Sequence, residues 1–173
     1  MKIVTISGKA RHGKDTCAFY LKNELESRGH KVYIYRYADP LKMCLTNYFN
    51  WDGSKDEKGR TLLQQIGTDK VRSNDQYAWI KIARAIIDGV LFDADYVIIP
   101  DCRFPNEITH WGSQLCASLL VIREGFDSEL TEGQKNHASE TSLNDFKFDH
   151  IIVASSVDGI YGACYDLIEN NYI

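Results

Sequence analysis

Five short runs of apolar residues recur along the chain, and longer stretches with helical spacing of apolar positions separate them. The runs are Ile3–Ser7, Lys31–Tyr37, Tyr96–Pro100, Leu119–Arg123 and His150–Ala154. Their apolar residues are nearly continuous rather than alternating, which is typical of strands buried on both faces. Such strands, separated by helices, predict an α/β protein whose parallel sheet is covered by helices on both sides.

The intervening stretches predict four helices from the 3.6-residue spacing of their apolar positions. These helices are Lys14–Arg28, Pro40–Asn50, Tyr77–Leu91 and about Asp158 to Asn170. Asp39 precedes Pro40, so we expect an aspartate N-cap followed by proline at the first helical position.

Two connections are longer than a crossover between parallel strands requires. Residues 43–94 lie between the second and third strands, and residues 124–149 between the fourth and fifth. Long excursions from a rigid sheet are where substrate arms and lids are found. We therefore expect a single domain over 1–173, with an acceptor-binding arm at 43–94 and a lid at 124–149.

The composition narrows the class of protein. Hydrophobic residues make up 44% of the 173 residues and there are only three Pro, which disfavours disorder. The apolar runs are far shorter than the ~20 residues of a membrane span, and the N-terminus has no secretory pattern. Five cysteines without a CxxC spacing indicate reduced thiols in a cytoplasmic protein.

The charge is distributed unevenly. The formal net charge is -4, which argues against a protein that coats nucleic acid. Residues 1–42 nevertheless hold nine Lys and Arg against four Asp and Glu. This balance suggests that the N-terminal quarter binds an anion, although chance scatter of surface charge would give the same count.

The most specific motif lies in that quarter. The segment Gly8-Lys9-Ala10-Arg11-His12-Gly13-Lys14-Asp15-Thr16 fits GxxxxGK between a strand and a helix, the context of a phosphate-binding loop. Backbone N–H groups, the helix N-terminus and Lys14 would bind the phosphates of a nucleotide. Asp15 stands where Ser or Thr usually holds Mg²⁺, and a carboxylate is a good ligand for that ion. Arg11 is a candidate for contact with the transferred phosphate, whereas His12 is equally a ligand or a bystander.

Charged residues also follow the other strands, where ligands of open α/β sheets gather. Asp39 is either a helix cap or a substrate contact. Asp101 and Arg103 follow the third strand, where a carboxylate can hold the water shell of Mg²⁺ and an arginine can bind phosphate. Arg123 ends the fourth strand and is a further phosphate candidate.

The two long connections contain further candidates. In 43–94, Arg60 and Arg72 are candidate phosphate clamps, Gln64 a candidate reader of a base, and Trp79 either a stacking or a core aromatic. In 124–149, His137-Ala138-Ser139-Glu140 is a compact polar cluster. A helix cap at Ser139 or Thr141, or a nucleotide contact, fits it better than a metal site does.

The motifs SGKARHGKDT (7–16), YADPLK (37–42), RTLLQQIGTDKVR (60–72), DCRFPNE (101–107) and HASE (137–140) stand in one order along most of the chain. In this order they resemble the bacteriophage-type deoxynucleoside monophosphate kinases of the P-loop kinase superfamily. The resemblance implies a P-loop NTPase-type five-stranded parallel sheet in the order 2-3-1-4-5, flanked by helices, with an arm that binds the nucleoside monophosphate and a lid.

The resemblance also implies a reaction and its residues. ATP with Mg²⁺ would be the phosphate donor and a deoxynucleoside monophosphate the acceptor. Site residues carried over by motif are Lys14, Asp15, Arg60, Gln64, Arg72, Asp101, Arg103 and the 137–140 cluster, with Asp15 and Asp101 on the metal. Neither nucleic acid nor a membrane is an expected partner, and a homodimer is compatible with the sequence. Two alternatives stay open: a P-loop kinase acting on a non-nucleoside phosphate such as phosphomevalonate, and a non-catalytic ATP-binding switch.

Overall fold

The structure is a computed structural model that describes residues 1–54, 56–126 and 130–173. Its strands are β1 (Lys2–Ser7), β2 (Val32–Ile34), β3 (Tyr96–Ile99), β4 (Leu115–Arg123) and β5 (His150–Ala154). All neighbouring strands pair in parallel, in the order β2-β3-β1-β4-β5. The predicted P-loop NTPase-type sheet and its strand order are confirmed.

Helices connect the strands. They are α1 (Lys14–Ser27), α2 (Ala38–Phe49), α3 (Glu57–Gln64), a π-helix (Gln65–Arg72), α4 (Ala78–Gly89), α5 (Pro105–Thr109), a 3₁₀ turn (Gly112–Gln114), α6 (Glu132–Lys135), α7 (Ala138–Thr141) and α8 (Val157–Glu169). The four predicted helices are confirmed to within a few residues at their ends. No helix in the described ranges is long and apolar enough to cross a membrane.

The two faces of the sheet are covered by different helices. On one face α1 and α8 pack on side chains such as Ile6, Leu119 and Ile152. On the other face α4 and α5 pack on Ile3, Val97 and Ile99. Because α4 belongs to this second core, the later part of 43–94 supports the sheet itself.

The start of α2 differs from the sequence prediction. The helix begins at Ala38 with Tyr37 as its N-cap residue, so the predicted cap at Asp39 is wrong. Both oxygens of the Asp101 carboxylate accept backbone hydrogen bonds here, from the N–H of Tyr37 and of Ala38, each at 3.0 Å. A carboxylate at the end of β3 therefore satisfies the amides at the start of α2.

A second difference lies after α3. Gly67-Thr68 does not end the helix, because the chain continues as a π-helix through Arg72. A Cβ at Gly67 would lie 2.8 Å from Leu41 Cδ2, so a side chain there would crowd α2. The wider turn leaves the Gly67 carbonyl free to accept the indole N–H of Trp79 at 2.9 Å.

Candidate active site

The glycines of the loop between β1 and α1 have conformations and neighbours that exclude a side chain. Gly8 has φ +147° and its added Cβ would lie 2.4 Å from the Val121 carbonyl oxygen. Gly13 has φ +93° and its added Cβ would lie 2.6 Å from Ile160 Cδ1. The loop is therefore fitted closely between β4 and α8, and α1 begins directly after it at Lys14. This is the backbone shape that presents N–H groups and a helix N-terminus to an anion.

The ammonium group of Lys14 lies inside this loop. Its Nζ donates to the Lys9 carbonyl oxygen at 2.7 Å. Burial, and then the positive charge of Arg103, lower the pKa of Lys14 to about 7. A bound anion would stabilise the charged form of this lysine, because it would replace the solvation that burial removes.

Two cationic side chains join the loop to the lid. Arg103 donates through NH1 to the Glu140 carboxylate at 2.9 Å and to the Gly8 carbonyl oxygen at 3.3 Å. Lys9 Nζ donates to the Glu140 carbonyl oxygen at 3.0 Å and to Asn144 Oδ1 at 3.4 Å. The α7 segment of the lid is thus tied to the phosphate loop and to the end of β3.

A cavity of about 300 Å³ lies beneath this connection. Gly8, Lys9 and Arg103 contribute polar groups to its lining, and Leu120, Ile122 and Leu143 contribute apolar side chains. Ser7, His12, Cys102, Val121, Ser139, Glu140 and Asn144 complete the lining. Its size falls at the lower end of the range of small-molecule sites.

His12 is positioned as a structural residue. It is buried, and its Nδ1 accepts the backbone N–H of Arg123 at 3.1 Å. Burial, followed by the charges of Lys14, Lys9 and Arg123, lowers the pKa of His12. The neutral imidazole thereby joins the loop to the end of β4. Its Nδ1 already accepts a backbone hydrogen bond, so this atom does not bind a ligand.

Arg72 has a different setting from that expected of an exposed phosphate clamp. Its guanidinium is buried, forms an ion pair with Glu107, donates to Asn106 Oδ1 at 3.1 Å and lies 3.8 Å from the Phe104 ring centre. Burial raises the pKa of Glu107 to about 7, against the opposing effect of Arg72 and of backbone N–H groups. The Gln76 carbonyl oxygen also accepts from this guanidinium, at 3.0 Å. Since four protein groups already surround it, its clamp role stays a prediction.

Glu107 was not identified from the sequence. Its Oε2 accepts the backbone N–H of Arg103 at 2.7 Å and of Phe104 at 3.2 Å, and the residue is 3% exposed. It therefore fixes the turn that carries Arg103 into the site. Glu107 belongs to the motif DCRFPNE, but the spacing of the motif does not show that its side chain accepts the backbone N–H of Arg103.

Asp15 and Arg36 form a second pair that the sequence did not predict. Arg36 NH2 donates to Asp15 Oδ1 at 2.7 Å, and the Asp15 side chain is 67% exposed. Arg36 lies just beyond β2, so its position at a strand end was the available signal. Within the described ranges no cluster of three or more His, Cys, Asp or Glu could hold a metal ion alone.

The remaining candidates lie in the loop, in α1, α2 and α3, and at the end of β4. Arg11 occupies the exposed side of the loop at φ +63°, and Arg60 lies in α3. The Arg123 guanidinium lies 4.6 Å from the Phe126 ring centre, and Asp39 pairs with Lys42 at 2.7 Å. Ala10 is buried in the loop, and Thr16 lies in the first turn of α1.

The arm and the lid contact each other directly. Gln64 Nε2 donates to the Gln134 carbonyl oxygen at 3.4 Å, and His137 Nε2 lies 3.1 Å from Asp69 Oδ1. His137 is also the N-cap of α7, because its side chain accepts the N–H of Ser139; the expected cap at Ser139 or Thr141 is wrong. Of the predicted site residues, the structure brings together the loop, Arg103 and Glu140, whereas Asp39, Arg72 and Trp79 bind other protein groups.

Comparison with known proteins adds little to this description. No family model matches the chain, and no curated protein matches its sequence. A solved structure of the APS kinase CysC of Mycobacterium tuberculosis, in a mutant with one cysteine replaced by alanine, is similar at 14% identity over 97% of this chain and 96% of that chain, with a TM-score of 0.48. The same kinase in complex with AMPPNP and APS is similar at 13% identity over 97% of both chains, also with a TM-score of 0.48. Likeness at this level assigns no activity, so the function is inferred from this chain's own residues.

Proposed function

We propose that the protein transfers the γ-phosphoryl group of ATP to the phosphate of a deoxynucleoside or nucleoside monophosphate. The observation that carries the proposal is the meeting of Lys14, Lys9 and Arg103 beside a cavity that a lid segment closes. A cationic loop alone would suit any phosphate ligand. A lid tied to that loop over an adjoining cavity suits a reaction that must exclude water.

The residues divide the work of phosphoryl transfer. The α1 N-terminus and Lys14 hold the β- and γ-phosphates of ATP. An oxygen of the acceptor phosphate attacks the γ-phosphorus, the bond to the β–γ bridging oxygen breaks, and ADP leaves. Arg103, with Arg11 and Arg123, stabilises the charge that develops on the transferred group. Arg60 and Arg72 remain the proposed contacts of the acceptor phosphate.

Two oxygen-bearing side chains at the start of α1 are suited to hold Mg²⁺. When bound, it neutralises phosphate charge and orients the phosphate oxygens. The exposed Asp15 carboxylate and the Thr16 hydroxyl would hold it together with the phosphates of ATP, since Mg²⁺ is usually bound by one or two carboxylates and substrate oxygens. Asp101, both of whose oxygens accept N–H groups of α2, would act through water.

A steady-state assay with ATP, Mg²⁺ and a panel of acceptors tests the proposal. The panel contains each deoxynucleoside monophosphate, each nucleoside monophosphate and phosphomevalonate, with ADP formation as the signal. We expect turnover with nucleotides, and a fall in kcat/KM of about a hundredfold in Arg103→Ala. Arg84→Ala, which removes an α4 arginine paired with Asp88, is the matched control and should leave the rate unchanged.

The other outcomes are distinct. Turnover confined to phosphomevalonate would replace the acceptor while keeping the reaction. ATP binding with no acceptor-dependent ADP formation would instead support a switch that uses nucleotide to order its lid, and would overturn the kinase assignment.

A further inference from the structure

The hydroxyl group of Ser7 is buried without a hydrogen-bond partner among the described residues. Ser7 is 1% exposed, ends β1 and immediately precedes the phosphate loop. A buried hydroxyl usually finds a partner, because leaving it unsatisfied costs about 1–3 kcal/mol. An unpartnered hydroxyl at this position is therefore a candidate for contact with a ligand.

Ser7 is one of the residues that line the cavity under the lid. Ser7 and Leu120 are register partners in the parallel pairing of β1 with β4, so both side chains lie on the same face of the sheet. The cavity lies against this face and is lined by both residues, with Ile122 and Leu143. Ser7 thus supplies a polar group to a wall that is otherwise apolar.

The lining of the cavity combines two kinds of chemistry. Lys9 and Arg103 contribute cationic groups, whereas Leu120, Ile122 and Leu143 contribute apolar side chains. A molecule that suits this lining combines an anionic group with a largely apolar body that has a hydrogen-bonding edge. A nucleobase, with apolar faces and a polar edge, has that body.

Gln64, the residue of the arm expected to read a base, is less suitable. Its amide N–H donates to the Gln134 carbonyl oxygen, so this donor serves the contact between arm and lid. The Trp79 indole N–H donates to the Gly67 carbonyl oxygen within the arm, so it is not available to the edge of a base. Ser7 has no such competing partner in the described part of the chain.

We propose that the cavity between β1, β4 and α7 receives the base of the acceptor nucleotide, and that the Ser7 hydroxyl forms a hydrogen bond with its polar edge. This assignment rests on the proposed function, and it makes Ser7 a specificity-determining residue.

The chain offers a matched control on the same strand. Thr5 lies two positions before Ser7 on the same face, is 0% exposed, and its hydroxyl also has no partner among the described residues. Thr5 does not line the cavity. Removing either hydroxyl should leave stability equal or slightly higher, because an unsatisfied polar group is lost.

The test compares Ser7→Ala with Thr5→Val in direct binding and in turnover. Calorimetric titration measures the Kd of a deoxynucleoside monophosphate and of deoxyribose 5-phosphate, which carries the phosphate without a base. We expect Ser7→Ala to weaken binding of the nucleotide about three- to tenfold, to leave binding of deoxyribose 5-phosphate unchanged, and to raise KM more than it lowers kcat. Thr5→Val should bind both ligands as the unaltered protein does.

The outcomes separate the two proposals. Nucleotide binding without turnover would overturn the kinase reaction, while a base-dependent loss in Ser7→Ala would still support the assignment of the cavity. Equal losses for both ligands, identical behaviour of Ser7→Ala and Thr5→Val, or no nucleotide binding by the unaltered protein would each overturn the role of Ser7.

Discussion

At the scale of single residues, Lys14 links the electrostatics of the loop to an observable. Its pKa is lowered to about 7, so at pH 8 the amine is largely neutral in the free protein. An anionic triphosphate favours the charged form, and we therefore expect ATP binding at pH 8 to take up close to one proton. Titration calorimetry in buffers of different ionisation enthalpy measures this number, which should fall toward zero near pH 6, where the free lysine is already charged.

The same shift predicts the pH dependence of the free protein. The unfolded chain keeps the ordinary pKa of 10.5, so between about pH 10.5 and 7 it binds a proton that the folded state does not. Lys14 should therefore lower the free energy of unfolding as the pH falls through this window.

In Lys14→Arg the charge does not titrate, and proton uptake on ATP binding should disappear. Uptake that persists in this variant would contradict the assignment to Lys14.

At the scale of elements, the lid segment α7 competes with phosphate for the cations of the site. The Glu140 carboxylate, whose side chain is 7% exposed, pairs with Arg103, and its carbonyl oxygen accepts from Lys9. In Glu140→Gln the ion pair is lost, so we expect faster hydrogen exchange in residues 136–145 of the free protein and about fivefold tighter binding of ATP. Weaker ATP binding would show instead that Glu140 contacts the nucleotide.

The control for this lid variant lies one helix earlier. Glu132 on α6 is exposed and pairs with Lys135 on the surface at 3.4 Å. Glu132→Gln removes the same charge from the lid without touching Arg103. Because exposed pairs of this kind contribute little, neither ATP affinity nor hydrogen exchange should change.

The elements themselves could be predicted unevenly from the sequence. β1, β3 and β5 were placed nearly to the residue by their continuous apolar runs. The expected burial on both faces is wrong for β5, which lies at the edge of the sheet with Ile151 and Val153 exposed. The start of α2 was misplaced because its capping carboxylate, Asp101, comes from another strand. The π-helix through Gly67 depends on packing against Leu41, which has no signal within the segment.

The residues of the candidate site could also be predicted only in part. The loop and Arg103 follow from strand ends, which a parallel sheet brings to one edge. The burial of Arg72 by Glu107 and Phe104, and the unpartnered hydroxyl of Ser7, arise from contacts between distant segments. Spacing along the chain therefore located the residues, but only packing could separate those available to a ligand from those already bound.

At the scale of the whole molecule, the basic N-terminal quarter has two uses. Lys9 and Lys14 belong to the phosphate loop, whereas several other cations of that quarter form ion pairs on the surface. Arg28 pairs with Glu24 at 2.7 Å, and Lys31 pairs with Asp93. Acidic partners thus offset part of the positive charge outside the site, whereas Lys9 and Lys14 remain beside the loop.

The placement of the five cysteines predicts how the folded protein reacts with thiol reagents. Cys44 is exposed, Cys116 is intermediate, and Cys17, Cys102 and Cys164 are buried. The sulfur atoms of Cys17 and Cys164 lie 3.3 Å apart between α1 and α8. The hydrogen bond to Cys164, and then burial, raise the pKa of Cys17. Burial also raises the pKa of Cys102. Thiols in apolar surroundings are inert because the reactive thiolate is disfavoured.

We therefore expect one fast-reacting thiol when the native protein is treated with an aromatic disulfide reagent at pH 8, and all five in denaturant. Cys44→Ser should remove the fast phase. Cys17→Ser should leave it intact, because the Cys17 sulfur lies in the core between α1 and α8. Rapid reaction of three or more thiols in the native protein would mean that α1 and α8 separate readily. That result would contradict the close packing that holds Gly13 against Ile160 and so gives the phosphate loop its shape.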